Sequence, residues 1–279
     1  EIAGPVPGDG LAVWWLGQSG FLLKYRQDCL LFDPYLSDSL TKKYAQTDKP
    51  HERMTAIPVA PGALAPISVI TATHGHTDHL DAETLQALRA ANPGAKLVFP
   101  EAIRPLAVER WGSSEGLVGL RDGEATTIGP MTLHAVPAAH EKLDRDAEGR
   151  CLYLGFVVHW GPWRIYHAGD TIPYEEQVAT LRALAVDLAL LPINGRKPER
   201  RVAGNLWGDE AARLAKAVHA DLAIPCHYEM FSFNTESPAL FEQTCRELKQ
   251  GFAVPRCGQR VVLQHRRDSR KIMWTLAKA

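Results

Sequence analysis

Thr73-His74-Gly75-His76-Thr77-Asp78-His79-Leu80-Asp81 places three histidines and a carboxylate, His74, His76, Asp78 and His79, within six residues. It follows directly on Ile67-Ser68-Val69-Ile70-Thr71-Ala72, an apolar run that reads as a buried strand. Imidazole and carboxylate are donors that divalent zinc, manganese or iron accept. A single helix could not aim all four at one point, whereas a loop can. Only 11 of the 279 residues are histidine, so such crowding is not what an ordinary solvated turn would show. Asp81 closes the loop as the expected N-cap of a helix running through Leu85 and Leu88 to a stop at Asn92-Pro93-Gly94.

Working outward, the segments before the loop read as a meander of short strands: Ala12 to Leu16, Phe21 to Lys24 and Leu30 to Phe32, with Gly17-Gln18-Ser19-Gly20 as a turn. Leu36 to Pro66 is polar and broken by Pro50, Pro58, Pro61 and Pro66, and reads as a long loop of the kind that forms a lid. Beyond the loop come the strands Met131 to Val136, Leu152 to Trp160 and Trp163 to His167. Two strand–helix alternations follow: Asp187 to Leu191 with helix Asp209 to His219, and Leu222 to Pro225 with helix Pro238 to Lys249. Strand-rich and mixed segments in both halves favour an α/β fold of two stacked, mixed β-sheets flanked by helices, an αββα sandwich, over one doubly wound sheet. One domain over residues 1–279 is the expectation.

Composition narrows the function. Lys plus Arg total 31, Asp plus Glu 32, and the net charge of −1 provides no footprint for nucleic acid. No run approaches the length of a membrane span. Five scattered cysteines without a C-x-x-C pair, and a start at Glu1 to Gly10 that lacks a signal-peptide pattern, point to a reducing, cytoplasmic setting. A small-molecule substrate is the expected partner, and an oligomer is compatible with the sequence.

The loop needs further ligands, and His140, Asp170 and His227 qualify, each at the C-terminal side of a strand where loops can converge. In this order, H-x-H-x-D-H, a later His, an Asp after Gly and a final His resemble the metallo-β-lactamase superfamily, over Trp15 to His227. Trp14-Trp15-Leu16-Gly17-Gln18-Ser19-Gly20-Phe21, Leu190-Leu191-Pro192-Ile193-Asn194-Gly195-Arg196 and Pro225-Cys226-His227-Tyr228 resemble its L-ascorbate-6-phosphate lactonase branch. The resemblance implies that His74, His76 and His140 hold one divalent ion, that Asp78, His79 and His227 hold a second, and that Asp170 bridges them. Zinc or manganese would fill the site, and iron suits the same donors. Two such ions sharing a hydroxide would cleave a small ester, lactone or phosphorylated metabolite, with Asp78 orienting the hydroxide.

Around that core, Asp81 and Glu141 are candidates to hold imidazoles, and His51 would reach over the site if its loop is a lid. His134 reads as a strand-face residue, His167 as a core histidine, and Cys226 as a buried strand residue. Asn194, Arg196 and Tyr228 are the candidate substrate contacts, Arg196 because a guanidinium suits phosphate. No donor of a proton to the leaving group stands out. Three other functions remain in play. A phosphodiesterase of phospholipids or cyclic nucleotides would use the same ions. An iron oxidoreductase is disfavoured because redox members resembling flavodiiron proteins carry glutamate where this chain has His76. A metal-free, non-catalytic binding protein is disfavoured by the complete donor set.

Overall fold

A computed structural model describes Val6, residues 8–265 and residues 271–277; most of the Glu1 to Gly10 stretch lies outside the described residues. The meander forms as read: β1 (Leu11–Trp15), β2 (Phe21–Tyr25) and β3 (Asp28–Phe32) pair antiparallel in sequence order. Both faces of these strands are buried, and alternation sorts their side chains. Leu11, Val13, Trp15, Phe21, Leu23, Leu30 and Phe32 enter the core between the sheets, while Ala12, Trp14, Leu22, Cys29 and Leu31 face the flanking helices.

β4 (Val69–Thr71), β5 (Lys96–Pro100) and β6 (Leu117–Leu120) then add in parallel to β3. β13 (Arg260–His265) and β14 (Ile272–Leu276) add beyond β1, giving the order β14-β13-β1-β2-β3-β4-β5-β6. The second sheet runs β12-β11-β10-β9-β8-β7. Its strands are β7 (Ala125–Ile128), β8 (Met131–Pro137), β9 (Leu154–Trp160), β10 (Trp163–His167), β11 (Leu188–Pro192) and β12 (Leu222–Cys226). The pairs β10·β11 and β11·β12 are parallel and the rest antiparallel, so both sheets are mixed. A shared core with Trp160, Trp163 and Phe156 lies between them. Helices α2 (Ala82–Ala91) and α3 (Arg104–Trp111) cover the first sheet, and α5 (Gly208–Ala217) and α6 (Ala239–Leu248) the second, with the short α4 (Gln177–Ala183) between β10 and β11. The αββα sandwich is the observed architecture. Among the described residues, no helix is long and apolar enough to cross a membrane.

Leu36 to Pro66 departs from the expectation of a structureless connection. It contains the two-turn helix α1 (Ser39–Tyr44) and a 3-10 turn at Pro61–Ala63. Leu40 of α1 joins Tyr35, Met230 and Phe231 in a separate apolar cluster, so tertiary packing stabilises a helix whose own sequence shows no cap or periodicity.

Asp81 caps α2 as read: its carboxylate accepts from Thr84 N at 3.0 Å and Thr84 Oγ1 at 2.5 Å, and Ser39 Oγ donates to it at 2.8 Å. Asp81→Ala is expected to lower unfolding free energy by about 1–2 kcal/mol, and Asp81→Asn by much less, because asparagine caps about as well. Urea titrations with unchanged slopes check this; equal losses in both variants would contradict the capping role.

Candidate metal centre

The site lies where the C-terminal ends of parallel strands from both sheets meet, the usual place for a binding crevice in such sheets. Asp33 follows β3, the histidine loop follows β4, Asp170 follows β10 and His227 follows β12. The loop is fastened at several points. Ala72 N donates to Val98 O of its own sheet, and Leu154 N of the second sheet donates to Thr73 O, both at 2.9 Å. Arg110 of α3 donates to the carbonyls of Gly75 and Leu80 at 2.9 and 3.1 Å, clamping the two ends of the histidine run.

The seven residues come together in two groups. His74, His76, His140 and Asp170 form one, Asp78, His79 and His227 the other, and within each the donor atoms lie within 4.8 Å of one another. His74 Nε2 and His76 Nδ1 are 2.9 Å apart. Asp170 faces both groups: Oδ2 is 4.0 Å from His74 Nε2, 3.7 Å from His140 Nε2 and 3.3 Å from His227 Nε2, and Oδ1 is 3.3 Å from His79 Nε2. Gly169 permits this placement. It has φ +60°, and a Cβ there would stand 2.7 Å from the Thr73 side chain.

The cluster fits divalent ions on its own chemistry. His79 Nε2 and Asp170 Oδ1, which face each other in the cluster, are buried without a well-formed hydrogen bond, a costly state unless another group answers their lone pairs. Burial holds His74 and His76 below the usual imidazole range, keeping them neutral as ligands must be. Burial also disfavours charge on His79, but the carboxylates of Asp170 and Asp78 outweigh it and raise this imidazole well above its ordinary value. Burial would likewise raise Asp170, yet His227 and His79 beside it prevail and hold its carboxyl well below the usual range. These His/Asp residues form a cluster able to bind metal.

Sequence reasoning missed the groups that orient the cluster. Asp33, fully buried at φ +38°, accepts from His79 Nδ1 at 2.7 Å, from Thr73 N and Thr71 Oγ1 at 3.1 Å each, and from Thr73 Oγ1. It therefore fixes the tautomer of His79 and turns Nε2 toward Asp170 and Asp78. The available signal was a carboxylate ending an apolar strand. Gln18, at φ +48°, donates to Asp78 Oδ2 at 2.6 Å, and its carbonyl accepts from His227 N at 2.9 Å. His140 Nδ1 donates to the Gly204 carbonyl at 3.1 Å, leaving Nε2 for the site. Asp33, Gln18 and His227 (φ +58°) all occupy the left-handed region, backbone strain of the kind that concentrates at functional sites.

A cavity of about 260 Å³ opens above the cluster. Gln18, His76, Asp78, His140, Asp170 and His227 form one side, and Leu40, Tyr44, His51, Phe231 and Phe233 the other, with Lys43 and Arg110 also in the lining. The structure does not bring the candidate substrate contacts there. Arg196 forms a two-pronged ion pair with Glu210 at 2.7 Å per bond. Asn194 is fully buried between Asn205 and Asn234, at 3.0 Å from each, and Tyr228 is buried in a stack on Trp15 with centroids 4.6 Å apart. His167 packs in the core on Phe32, and Cys226 is buried. His51 does reach the cavity.

Residues 29–228 match the family described as the β-lactamase superfamily domain. The chain belongs to the metallo-β-lactamase superfamily. A superfamily relative in Rubrobacter xylanophilus, named as a metal-dependent hydrolase, is 27% identical over 248 residues, 86% of this chain and 90% of that protein. Among solved structures, a metallo hydrolase of Ignicoccus hospitalis is similar with a TM-score of 0.68 at 20% identity, covering 92% of this chain and all of the other. The diiron β-hydroxylase CmlA of Streptomyces venezuelae is similar with a TM-score of 0.66 at 18% identity, covering 94% of this chain and 55% of that one. Likeness at that identity shows the fold alone, and this fold serves more than one chemistry, so the site must decide the reaction.

Two outcomes are expected. Asp33→Ala should weaken metal binding about 10- to 100-fold while the chain stays folded, read by competition with a chromophoric chelator; unchanged affinity would contradict the orienting role. Because the metal-free His79 imidazole holds its proton above the ordinary range, metal uptake at neutral pH should release that proton, and affinity should fall as pH falls. Calorimetry in buffers of different ionisation enthalpy measures it; no buffer dependence would contradict it.

Proposed function

We propose that this protein is a dinuclear metal-dependent hydrolase of a small ester, lactone or phosphorylated metabolite. The observation that carries the reading is Asp170, whose two oxygens face two complete donor groups at the floor of one cavity. In this reading His74, His76 and His140 hold the first ion, Asp78, His79 and His227 the second, and Asp170 both; zinc or manganese suits these donors, and iron is accepted by the same set. Bound there, divalent ions supply Lewis acidity to the oxygen of the bond under attack and make water a nucleophile at neutral pH.

The chain's own residues do the rest. Asp78, held by Gln18, orients the attacking water. Leu40, Tyr44, Phe231 and Phe233 exclude bulk solvent from one side and accept an apolar portion of the substrate, while Lys43 and Arg110 bring positive charge to the lining. At about 260 Å³ the cavity lies just below the roughly 300–1,000 Å³ of ligand pockets, and so favours a small metabolite over a phospholipid. The finer reading, a lactonase like the L-ascorbate-6-phosphate enzyme, rests on the resemblance of Trp14 to Phe21, Leu190 to Arg196 and Pro225 to Tyr228, and the candidate contacts Asn194, Arg196 and Tyr228 have partners within the fold. Their internal partners favour the broader substrate class. Five cysteines without a disulfide suit a reducing, cytoplasmic setting.

Elemental analysis of wild type and His76→Ala, with assays on a generic lactone and a generic phosphodiester, tests the reading. About two transition-metal ions per wild-type chain are expected, with metal and activity lost together in the variant and the active substrate naming the bond class. A wild type that binds neither zinc nor manganese and cleaves neither substrate would contradict it.

A further inference from the structure

On the hydrolase reading above, the attacking water must shed a proton and the leaving oxygen must gain one. The seven clustered side chains are committed to the metal positions, so another cavity residue has to carry that proton. Apart from the cluster, His51 is the one histidine in the lining, and histidine is the side chain whose proton exchanges near neutral pH.

His51 is held in one orientation. Its ring stacks on Tyr44 with centroids 4.1 Å apart and meets Phe231 and Phe233 edge-on at 5.1 and 4.6 Å. Nδ1 lies 3.0 Å from the Lys49 carbonyl oxygen. A carbonyl only accepts, so Nδ1 carries the proton and donates it. Nε2 is then the lone-pair nitrogen of the neutral ring, and no side chain or carbonyl among the described residues bonds it. Three charged groups act on the ring: Asp78 favours its cation, Lys43 and Lys49 oppose it, and burial, the largest effect, also favours the neutral form.

We propose that His51 is the proton shuttle of the reaction, with Nε2 taking a proton from the attacking water and returning it to the leaving oxygen. As the water oxygen bonds to the carbonyl carbon or phosphorus, its proton passes to Nε2. The bond to the leaving group breaks with its electron pair on the leaving oxygen, and Nε2 protonates that oxygen. The ring returns to neutral, while the Lys49 carbonyl keeps Nδ1–H in place throughout and stabilises the transient imidazolium, as the orienting partner does in other histidine shuttles.

His51→Asn keeps a donor for the Lys49 carbonyl, and His51→Phe keeps the ring stack. Each is assayed on p-nitrophenyl acetate, whose leaving group needs no proton at neutral pH, and on ethyl acetate, whose leaving group does; the corresponding phosphodiesters are used if the enzyme proves selective for phosphoryl transfer. Both variants should lose about 10²-fold or more in kcat on the ethyl substrate, where both proton transfers are needed, and measurably less on the p-nitrophenyl one, where only the transfer from the attacking water remains, with metal content and Tm unchanged. Nitrogen-15 NMR of the metal-loaded wild type, with the His51 signal assigned by its loss in His51→Asn, should show Nδ1 protonated and Nε2 bare. Equal losses on both substrates, no loss on either, or the opposite tautomer would overturn the shuttle alone. A wild type inactive on every substrate would overturn the hydrolase reading and the shuttle with it.

Discussion

Seven imidazole and carboxylate groups cannot share a protein interior unless something answers their charge and lone pairs, and that constraint organises this molecule. His74, His79, His140, Asp170 and His227 are all buried, and two of the polar atoms that face the cluster, His79 Nε2 and Asp170 Oδ1, have no well-formed hydrogen bond. Such a concentration of unanswered polarity is expensive in any fold. It persists here because the surrounding structure over-determines it: two sheets meet at the cluster, the histidine loop is tied to both of them, and the carboxylate of Asp33 fixes one imidazole while taking three further bonds from the loop and the strand before it. A divalent ion is the species that converts this cost into binding energy.

The second consequence is asymmetry across the cavity. One side is built of strand ends, which are rigid and set donor positions closely. The other comes from α1, the segment around His51 and the aromatics after β12, which pack mainly on one another. The candidate metal ligands thus sit on the scaffold and the apolar lining on the connections, matching the usual division of chemistry and recognition in α/β enzymes. Family membership agrees with the first side. It says little about the second, to which the proposed function gives substrate choice.

That division also explains what could be read from the sequence. The strands β1 to β3, β4 and β8 to β12 were legible because their side chains alternate or run apolar between turn signals, and the loop ligands because six residues held four donors. Asp81 was legible as a cap from its place before a helical pattern. The segments β5 to β7, α3, α4, β13 and β14 went unassigned, being short or mixed in pattern. Asp33 was not legible as an orienting group, since its partner His79 lies far along the chain. Arg196 looked free for phosphate because Glu210, which holds it, stands on the next helix. Asn194 and Tyr228 looked available because burial of a loop residue is a tertiary property.

The central claim is that one site holds two ions joined through Asp170. X-ray absorption spectroscopy at the metal edge of the purified protein tests it most directly. The account predicts a shell of nitrogen and oxygen ligands with a second metal about 3.5–4 Å away; a single ion with no metal–metal scattering, or sulfur in the first shell, would contradict it.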